Sequence, residues 1–149
     1  MNDLRELYQE MIIDHSRRPR NFRALADANH NAQGFNPLCG DKVTVYLKLD
    51  GDTVRDLSFQ GSGCAISTAS ASLMTETLKG KTLAQAEALF QKFHRLVTGE
   101  NEEAAAPELG KLTALAGVRD YPIRVKCATL AWHTLKAALK GAREVVSTE

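Results

Sequence analysis

The fold is organised around the stretch Asn36-Pro37-Leu38-Cys39-Gly40-Asp41, which places a thiol and a carboxylate two residues apart with a glycine between them. In an extended chain, residues i and i+2 point to the same side, so Cys39 and Asp41 can approach one point. Gly40 tolerates positive φ angles and therefore allows a sharp bend there. We expect the chain to fold so that Cys64 and Cys127 lie beside Cys39 and Asp41.

The composition predicts a single globular domain over residues 1–149, since 44% of the residues are hydrophobic and 25% are charged. A net charge of +1 gives no reason to expect binding to nucleic acid or to an anionic membrane. No apolar run approaches the roughly 20 residues of a membrane span, and the N-terminus does not resemble a signal peptide. A cytoplasmic location is expected. Three cysteines, an odd number, favour ligation or catalysis over a disulfide framework.

Alternating side chains predict a β-hairpin directly after the opening stretch. Apolar residues recur at every second position, which is typical of a half-buried strand: Val43, Val45, Leu47 and Leu49. Asp50-Gly51-Asp52 supplies the turn. The second strand, through Phe59, alternates imperfectly, which indicates a bulge. We interpret residues 24–35 as loop, with a short edge strand before Asn36.

Helical periodicity dominates the rest of the chain. Helices are expected over residues 3–15, 65–78, 82–99 and 122–141, with a short helix over 107–117. Pro122 stands at the first-turn position that helices favour for proline. The fold class is therefore α+β, with a small antiparallel sheet packed against helices.

Two of the cysteines fall near helix starts. Cys64 lies at the N-terminus of the predicted helix 65–78, where unpaired amides and the helix dipole lower a thiol's pKa. Cys127 lies in the second turn of the last helix, and Arg124 is three residues earlier on the same face. Together with Cys39 and Asp41, these positions supply three thiols, one carboxylate and a neighbouring cation.

Three thiolates and a carboxylate are a suitable ligand set for zinc. The spacing matches no zinc-finger signature, and a lone cytosolic cysteine is more often a small buried apolar residue. The backbone context favours ligation, because each cysteine lies at a glycine turn or at a helix start. With Zn²⁺ bound, the set would carry a net formal charge of minus two, so we expect Arg124 to face the site. Lys126 is left without an assignment.

The histidines and the basic cluster carry weaker signals. None of the four histidines stands beside a cysteine, which also speaks against a Cys/His protease: His15, His30, His94 and His133. No glycine-rich phosphate loop or serine elbow is present. Four arginines form a basic cluster between residues 17 and 23, for which a solvated helix end is favoured over a docking site for an acidic partner.

Three ordered motifs resemble the SufU branch of the IscU-like iron–sulfur assembly family. They are residues 36–41, Gly61-Ser62-Gly63-Cys64-Ala65-Ile66-Ser67 and Arg124-Val125-Lys126-Cys127-Ala128-Thr129-Leu130-Ala131-Trp132, and Asp14-His15 with Arg18-Pro19-Arg20-Asn21 looks like the family's opening helix. The resemblance covers essentially the whole chain. It implies an α+β fold and one zinc ion per chain, held by Cys39, Asp41, Cys64 and Cys127.

Two features separate the branches of that family. IscU scaffolds carry a histidine directly before the third cysteine, where this chain has Lys126, and the segment 99–120 looks like the SufU insertion. The resemblance then implies a zinc-dependent sulfur acceptor that works with a SufS-type cysteine desulfurase and supplies downstream iron–sulfur assembly proteins. In that picture a histidine of the desulfurase takes the place of Cys39 on zinc. Cys39 then attacks the persulfide, while Asp41, Cys64 and Cys127 hold the metal.

Two alternatives come from other classes of protein. One is a scaffold on which a [2Fe–2S] cluster is built and passed on, since cysteine and aspartate ligation is compatible with a cluster. The other is a structural zinc domain, whose fold would collapse on chelation. The acidic segment 100–106 is expected to be a mobile surface segment, and the sequence assigns it no role.

Overall fold

The computed structural model describes residues 3–99, 107–140 and 146–147. The acidic segment expected to be mobile, residues 100–106, lies outside the described residues. One helix, three strands and then further helices follow in order, which confirms the α+β class. The elements are α1 (Asp3–Arg17), β1 (His30–Asn36), β2 (Asp41–Asp50), β3 (Thr53–Ser62), α2 (Ala65–Leu78), α3 (Leu83–Thr98), a 3-10 segment (Pro107–Asp120), α4 (Pro122–Leu139) and β4 (Val146–Ser147).

The sheet is a three-stranded antiparallel meander in the order β3–β2–β1, and the short strand β4 pairs in parallel with β1. The predicted hairpin of β2 and β3 is confirmed. A register shift between Lys48 and Leu49 is the irregularity that the imperfect alternation indicated. The hairpin places Asp41 at the start of β2 and the Gly61–Cys64 junction at the end of β3, at the same end of the sheet.

Strand β1 is longer than the short edge strand expected before Asn36. Its buried positions are Ala32, Gly34 and Asn36, which alternate with more exposed residues. Because two of these side chains are small and the third is polar, the sequence lacks the apolar alternation that indicates a strand. β1 lies between β2 and β4, not at an outer edge.

The segment after residue 106 is a 3-10 helix that is interrupted by non-helical backbone angles at Gly110. The sequence predicted a short helix here but not its 3-10 geometry. Its large buried side chains recur every third residue: Leu109, Leu112, Leu115 and Val118. A 3-10 helix has about 3.0 residues per turn, so this spacing places the three that follow the break at Gly110 on one side.

Small polar side chains on α2 connect it to both neighbouring helices. The Ser72 hydroxyl lies 2.7 Å from His15 Nδ1 and accepts a hydrogen bond from the Arg20 backbone N–H at 2.8 Å. The Ser70 hydroxyl donates to the Ala128 carbonyl at 2.5 Å and accepts from Trp132 Nε1 at 3.2 Å. These buried hydrogen bonds fix α2, and with it the Cys64 junction, against α1 and α4.

The basic cluster after α1 is largely neutralised by the chain's own carboxylates. Arg18 and Arg20 pair with Asp14 at 2.8 and 2.7 Å, and Arg23 pairs with Asp56 at 3.0 Å. These pairs support the interpretation as a solvated helix end.

None of the helices in the described ranges combines the length and the apolar character that a membrane crossing requires.

We predict that Gly34→Ala destabilises the protein by about 1–3 kcal/mol. A β-carbon at this buried position of β1 would collide with the Thr134 hydroxyl and lie 3.1 Å from Leu130 Cδ1, so α4 would have to move away from the sheet. Urea denaturation of the metal-free protein measures the free energy of unfolding.

Gly117→Ala is the matched control, because a β-carbon there has no neighbour within 4 Å. It should change the free energy of unfolding by less than about 0.5 kcal/mol. Equal stabilities for the two variants would contradict the close approach of α4 to β1.

Candidate metal centre

The connection between β1 and β2 is a tight turn closed by Asn36. The Asn36 carbonyl accepts hydrogen bonds from the backbone N–H groups of Cys39 at 3.3 Å and of Gly40 at 2.8 Å. Gly40 has a φ of 73°, a left-handed conformation that glycine adopts at little cost. The predicted bend is confirmed: Cys39 lies exposed on the turn, and Asp41 begins β2.

The Asp41 carboxylate has no exposed surface. Its Oδ1 accepts the backbone N–H of Cys64 at 2.8 Å, and its Oδ2 lies 3.7 Å from Cys64 Sγ. A β-carbon on Gly63 would lie only 2.5 Å from Asp41 Oδ1. Glycine at position 63 therefore allows the junction between β3 and α2 to approach the carboxylate.

Cys64 is the N-cap of α2, as the sequence predicts, and its sulfur accepts the backbone N–H of Ser67 at 3.4 Å. The side chain is exposed. A helix N-terminus favours negative charge, so this position suits a thiolate. Cys64 is joined to the other candidate ligands through its contacts with Asp41.

Cys127 comes from α4, and its Sγ lies 3.0 Å from Cys39 Sγ. Its side chain is buried, and burial raises the pKa of the Cys127 thiol far above its usual range. Hydrogen bonds with Cys39 and Asp41 raise this pKa further. Burial therefore favours the neutral thiol at Cys127 in the metal-free protein.

Ligand atoms of Cys39, Asp41 and Cys127 all lie within 4.8 Å of one another. Two atoms bound to one zinc ion at about 2.3 Å each are at most about 4.6 Å apart, so this group is close to the required spacing. Sulfur and carboxylate oxygen are both ligands that zinc accepts. These three residues thus fit a divalent metal. Cys64 is not one of the three, and it contacts the group through Asp41.

Arg124 has a different neighbour from the one expected. Its guanidinium carbon lies 4.7 Å from the centre of the Tyr121 ring, and the side chain is exposed. Among the described residues it forms no recorded hydrogen bond or ion pair with Cys39, Asp41 or Cys127. That Arg124 faces the metal stays a prediction.

The histidines lie away from the three-residue group. His15 is buried and bonded to Ser72, and burial lowers its pKa. His94 and His133 come together from α3 and α4 with ring centres 6.3 Å apart, and the ring of Phe90 contacts both. Burial also lowers the pKa of His133. Within the described ranges, no histidine belongs to a potential metal-binding group of three or more residues.

Asn36 is a site residue that the sequence analysis did not identify. Its side-chain nitrogen lies 3.6 Å from Cys39 Sγ and 3.9 Å from Cys127 Sγ. Its side-chain oxygen accepts the Leu38 backbone N–H at 3.1 Å, which forms an Asx turn. The Asn-Pro pair before Cys39 was the available signal, because asparagine before proline is typical of such turns.

We predict that Gly63→Ala weakens zinc binding by about tenfold or more, because the new methyl group would displace the Asp41 carboxylate. Competition with a chelator of known affinity measures the dissociation constant. Gly117→Ala, which places the same methyl group in open space, should bind zinc like the wild type. Wild-type affinity in Gly63→Ala would exclude Asp41 from the metal centre.

Zinc affinity should fall as the pH falls. The raised pKa of Cys127 keeps its thiol protonated in the metal-free protein, so zinc must displace that proton. Each unit decrease in pH should weaken binding about tenfold for each proton displaced. Titration of metal-free protein with zinc in weak buffer should release protons, and Cys127→Ser should release fewer. A pH-independent affinity would contradict Cys127 as a ligand.

With this geometry established, comparison with known proteins identifies the family. The family model for the NifU-like N-terminal domain matches residues 7–144. The chain is 44% identical over 140 residues to the iron–sulfur cluster assembly scaffold protein IscU of Streptococcus pyogenes serotype M1, covering 94% of this chain and 87% of that protein. It is 42% identical over 134 residues to the zinc-dependent sulfurtransferase SufU of Bacillus subtilis (strain 168), covering 90% of each.

Solved structures agree with these sequence matches. One crystal structure, described as an iron–sulfur cluster assembly scaffold protein for the SUF system from Fervidobacterium islandicum AW-1, superposes with a TM-score of 0.82. It is 37% identical in sequence and covers 90% of this chain, which covers 97% of it. The family match, the two sequence relatives and this structure agree with the fold: the chain belongs to the NifU-like N-terminal domain family, among the IscU and SufU proteins of iron–sulfur cluster assembly.

Proposed function

We propose that this chain is a zinc-dependent sulfur acceptor that takes persulfide sulfur from a SufS-type cysteine desulfurase for iron–sulfur cluster assembly. The observation that carries the proposal is the placement of Cys39. Its sulfur lies on an exposed turn and also 3.0 Å from the buried sulfur of Cys127. One thiol is thus accessible to a partner protein and close to a metal-binding group.

Four residues would hold the metal: Cys39, Asp41, Cys64 and Cys127. Bound zinc would supply thiolates that are deprotonated at neutral pH but weakly nucleophilic. Cys127 and Asp41 are buried and therefore suited to permanent ligation. Cys39 and Cys64 are both exposed, but Cys64 is held at the N-terminus of α2 by Asp41 and the Ser67 backbone N–H, whereas Cys39 lies on a turn next to Gly40. Cys39 is therefore the ligand best placed to react with a partner.

In the transfer step, the Cys39 thiolate attacks the terminal sulfur of the desulfurase persulfide. A new sulfur–sulfur bond forms on Cys39, the sulfur–sulfur bond in the desulfurase breaks, and the desulfurase cysteine leaves as a thiolate. No net oxidation occurs, because one persulfide replaces another. Cys39 then carries the sulfur to downstream assembly proteins.

Exposed apolar side chains near the site suit a docking surface for the desulfurase. Leu38 is 58% exposed beside Cys39, and Tyr121 and Ile123, at the start of α4, are 52% and 55% exposed. Large exposed apolar residues are typical of protein contact sites.

We also propose that residues 1–149 act as one domain and that the free thiols work in the reducing cytoplasm.

The name of the relative from Bacillus subtilis, a zinc-dependent sulfurtransferase, supports this proposal. The name of the Streptococcus pyogenes relative supports a second candidate, a scaffold for a [2Fe–2S] cluster as cargo. Metal analysis of the purified protein together with a desulfurase assay distinguishes them. One zinc per chain with strong stimulation of desulfurase turnover fits the sulfur acceptor, whereas iron with acid-labile sulfide and little stimulation fits the scaffold.

Cys39→Ser should abolish sulfur acceptance, because it removes the attacking atom while the chain still folds. Asn31→Ser is the matched control, because Asn31 is exposed on β1 and is not a candidate ligand. Incubation with desulfurase and cysteine, followed by mass spectrometry of the peptides, should find the added sulfur on Cys39 in the wild type and in Asn31→Ser. Sulfur carried on Cys64 or Cys127 in the wild type would refute the assignment.

A further inference from the structure

We propose that Asn36 is a positioning residue that holds the sulfurs of Cys39 and Cys127 together and offsets part of the negative charge at the metal centre. The inference rests on the zinc site proposed above. Asn36 has no exposed surface and ends β1 directly before the turn that carries Cys39. Its backbone is therefore held in the sheet, while its side chain is oriented by a hydrogen bond to the turn.

The orientation of the amide follows from its hydrogen bonds. Its oxygen accepts the Leu38 backbone N–H at 3.1 Å, so the nitrogen must point to the opposite side. There it lies 3.6 Å from Cys39 Sγ and 3.9 Å from Cys127 Sγ. A buried amide nitrogen has two N–H groups that need acceptors, and these two sulfurs are the acceptors recorded for it among the described residues.

The two sulfurs that Asn36 contacts differ in how far they can move. Cys127 is buried in α4 and has little freedom to move, whereas Cys39 lies on an exposed turn. A single amide that donates to both sulfurs restrains the mobile one against the fixed one. Hydrogen bonds from outer residues orient metal ligands and commonly raise metal affinity by about 10- to 100-fold.

The hydrogen bonds also affect charge. Three thiolates and one carboxylate around a divalent cation leave net negative charge in a half-buried site, and N–H donors reduce the free-energy cost of that charge. They withdraw electron density from the Cys39 sulfur, so they should slow its reaction with small alkylating agents while zinc is bound. Loss of the donor should therefore weaken metal binding and raise the reactivity of Cys39 together.

Two substitutions distinguish the role of the Asn36 side-chain N–H groups from the role of its oxygen in closing the turn. Asn36→Asp keeps the oxygen that accepts Leu38 N–H but removes both donors, and Asn36→Ser removes them without adding charge. Asn31→Asp and Asn31→Ser are matched controls, because Asn31 is exposed on the same strand. Circular dichroism of the metal-free proteins establishes whether each variant folds.

We expect both Asn36 variants to bind zinc about 10- to 100-fold more weakly than the wild type, with the Asn31 variants unchanged. With Co²⁺ in place of zinc, the thiolate charge-transfer band should shift in the Asn36 variants, which a purely structural role would not cause. Peptide mapping after alkylation of the zinc-loaded proteins should show faster modification of Cys39 in Asn36→Ser.

Three results would overturn the inference. Wild-type zinc affinity and an unchanged cobalt band in both Asn36 variants would overturn it alone. Failure of both variants to fold would assign Asn36 a structural role instead. A wild-type protein that binds neither zinc nor cobalt would overturn the proposed metal centre and this inference with it.

Discussion

The buried carboxylate of Asp41 is the constraint on which the site depends. An ionised carboxylate without solvent costs several kcal/mol unless charges or hydrogen bonds compensate it. In this chain Asp41 has no exposed surface, and the described residues include no recorded ion pair to it. The Cys64 backbone N–H supplies one hydrogen bond, and a cation bound with Cys39 and Cys127 would supply the opposite charge. The fold therefore buries a carboxylate where a metal can bind it.

This arrangement needs three parts of the chain to approach one another closely. Glycines make two of the approaches possible: Gly63 lets the β3–α2 junction reach Asp41, and Gly34 lets α4 reach β1. Hydroxyl groups on α2 make the third, because Ser70 connects α2 to the α4 turn that contains Ala128, directly after Cys127. Small residues thus determine where the sulfurs lie, although they form no part of the candidate ligand set.

The sequence predicted those parts of the fold whose signal is local. The hairpin and its bulge, the helix start at Cys64 and the bend at Gly40 all follow from alternation, capping and glycine conformation. Strand β1 was underestimated because its buried residues are small or polar. The short helix over 107–117 was predicted without a helix type, because apolar residues at every third position fit both an α-helix and a 3-10 helix over a short span.

The contacts within the site could be predicted only in part. Cys39 and Asp41 converge as predicted, but through the left-handed turn at Gly40 and not through an extended chain. The 3.0 Å approach of Cys127 depends on the docking of α4. Arg124 was expected to face the metal from its helical spacing and from the negative charge of the ligand set, and in the structure its guanidinium lies over the Tyr121 ring. The amide of Asn36 contacts a sulfur 91 residues away, a relation that no local pattern reveals.

The separation of the candidate ligands along the chain has a consequence for folding. Cys39 and Cys127 are 88 residues apart, and closing so long a loop costs entropy before the contact gives anything in return. The pair of sulfurs therefore exists only once α4 has docked on β1, after the local hairpin and helices have had the opportunity to form. During synthesis, a chain that ends before residue 127 offers the metal only part of its site. A complete candidate metal centre is consequently a property of the completed fold, and partly folded chains lack it because of their topology.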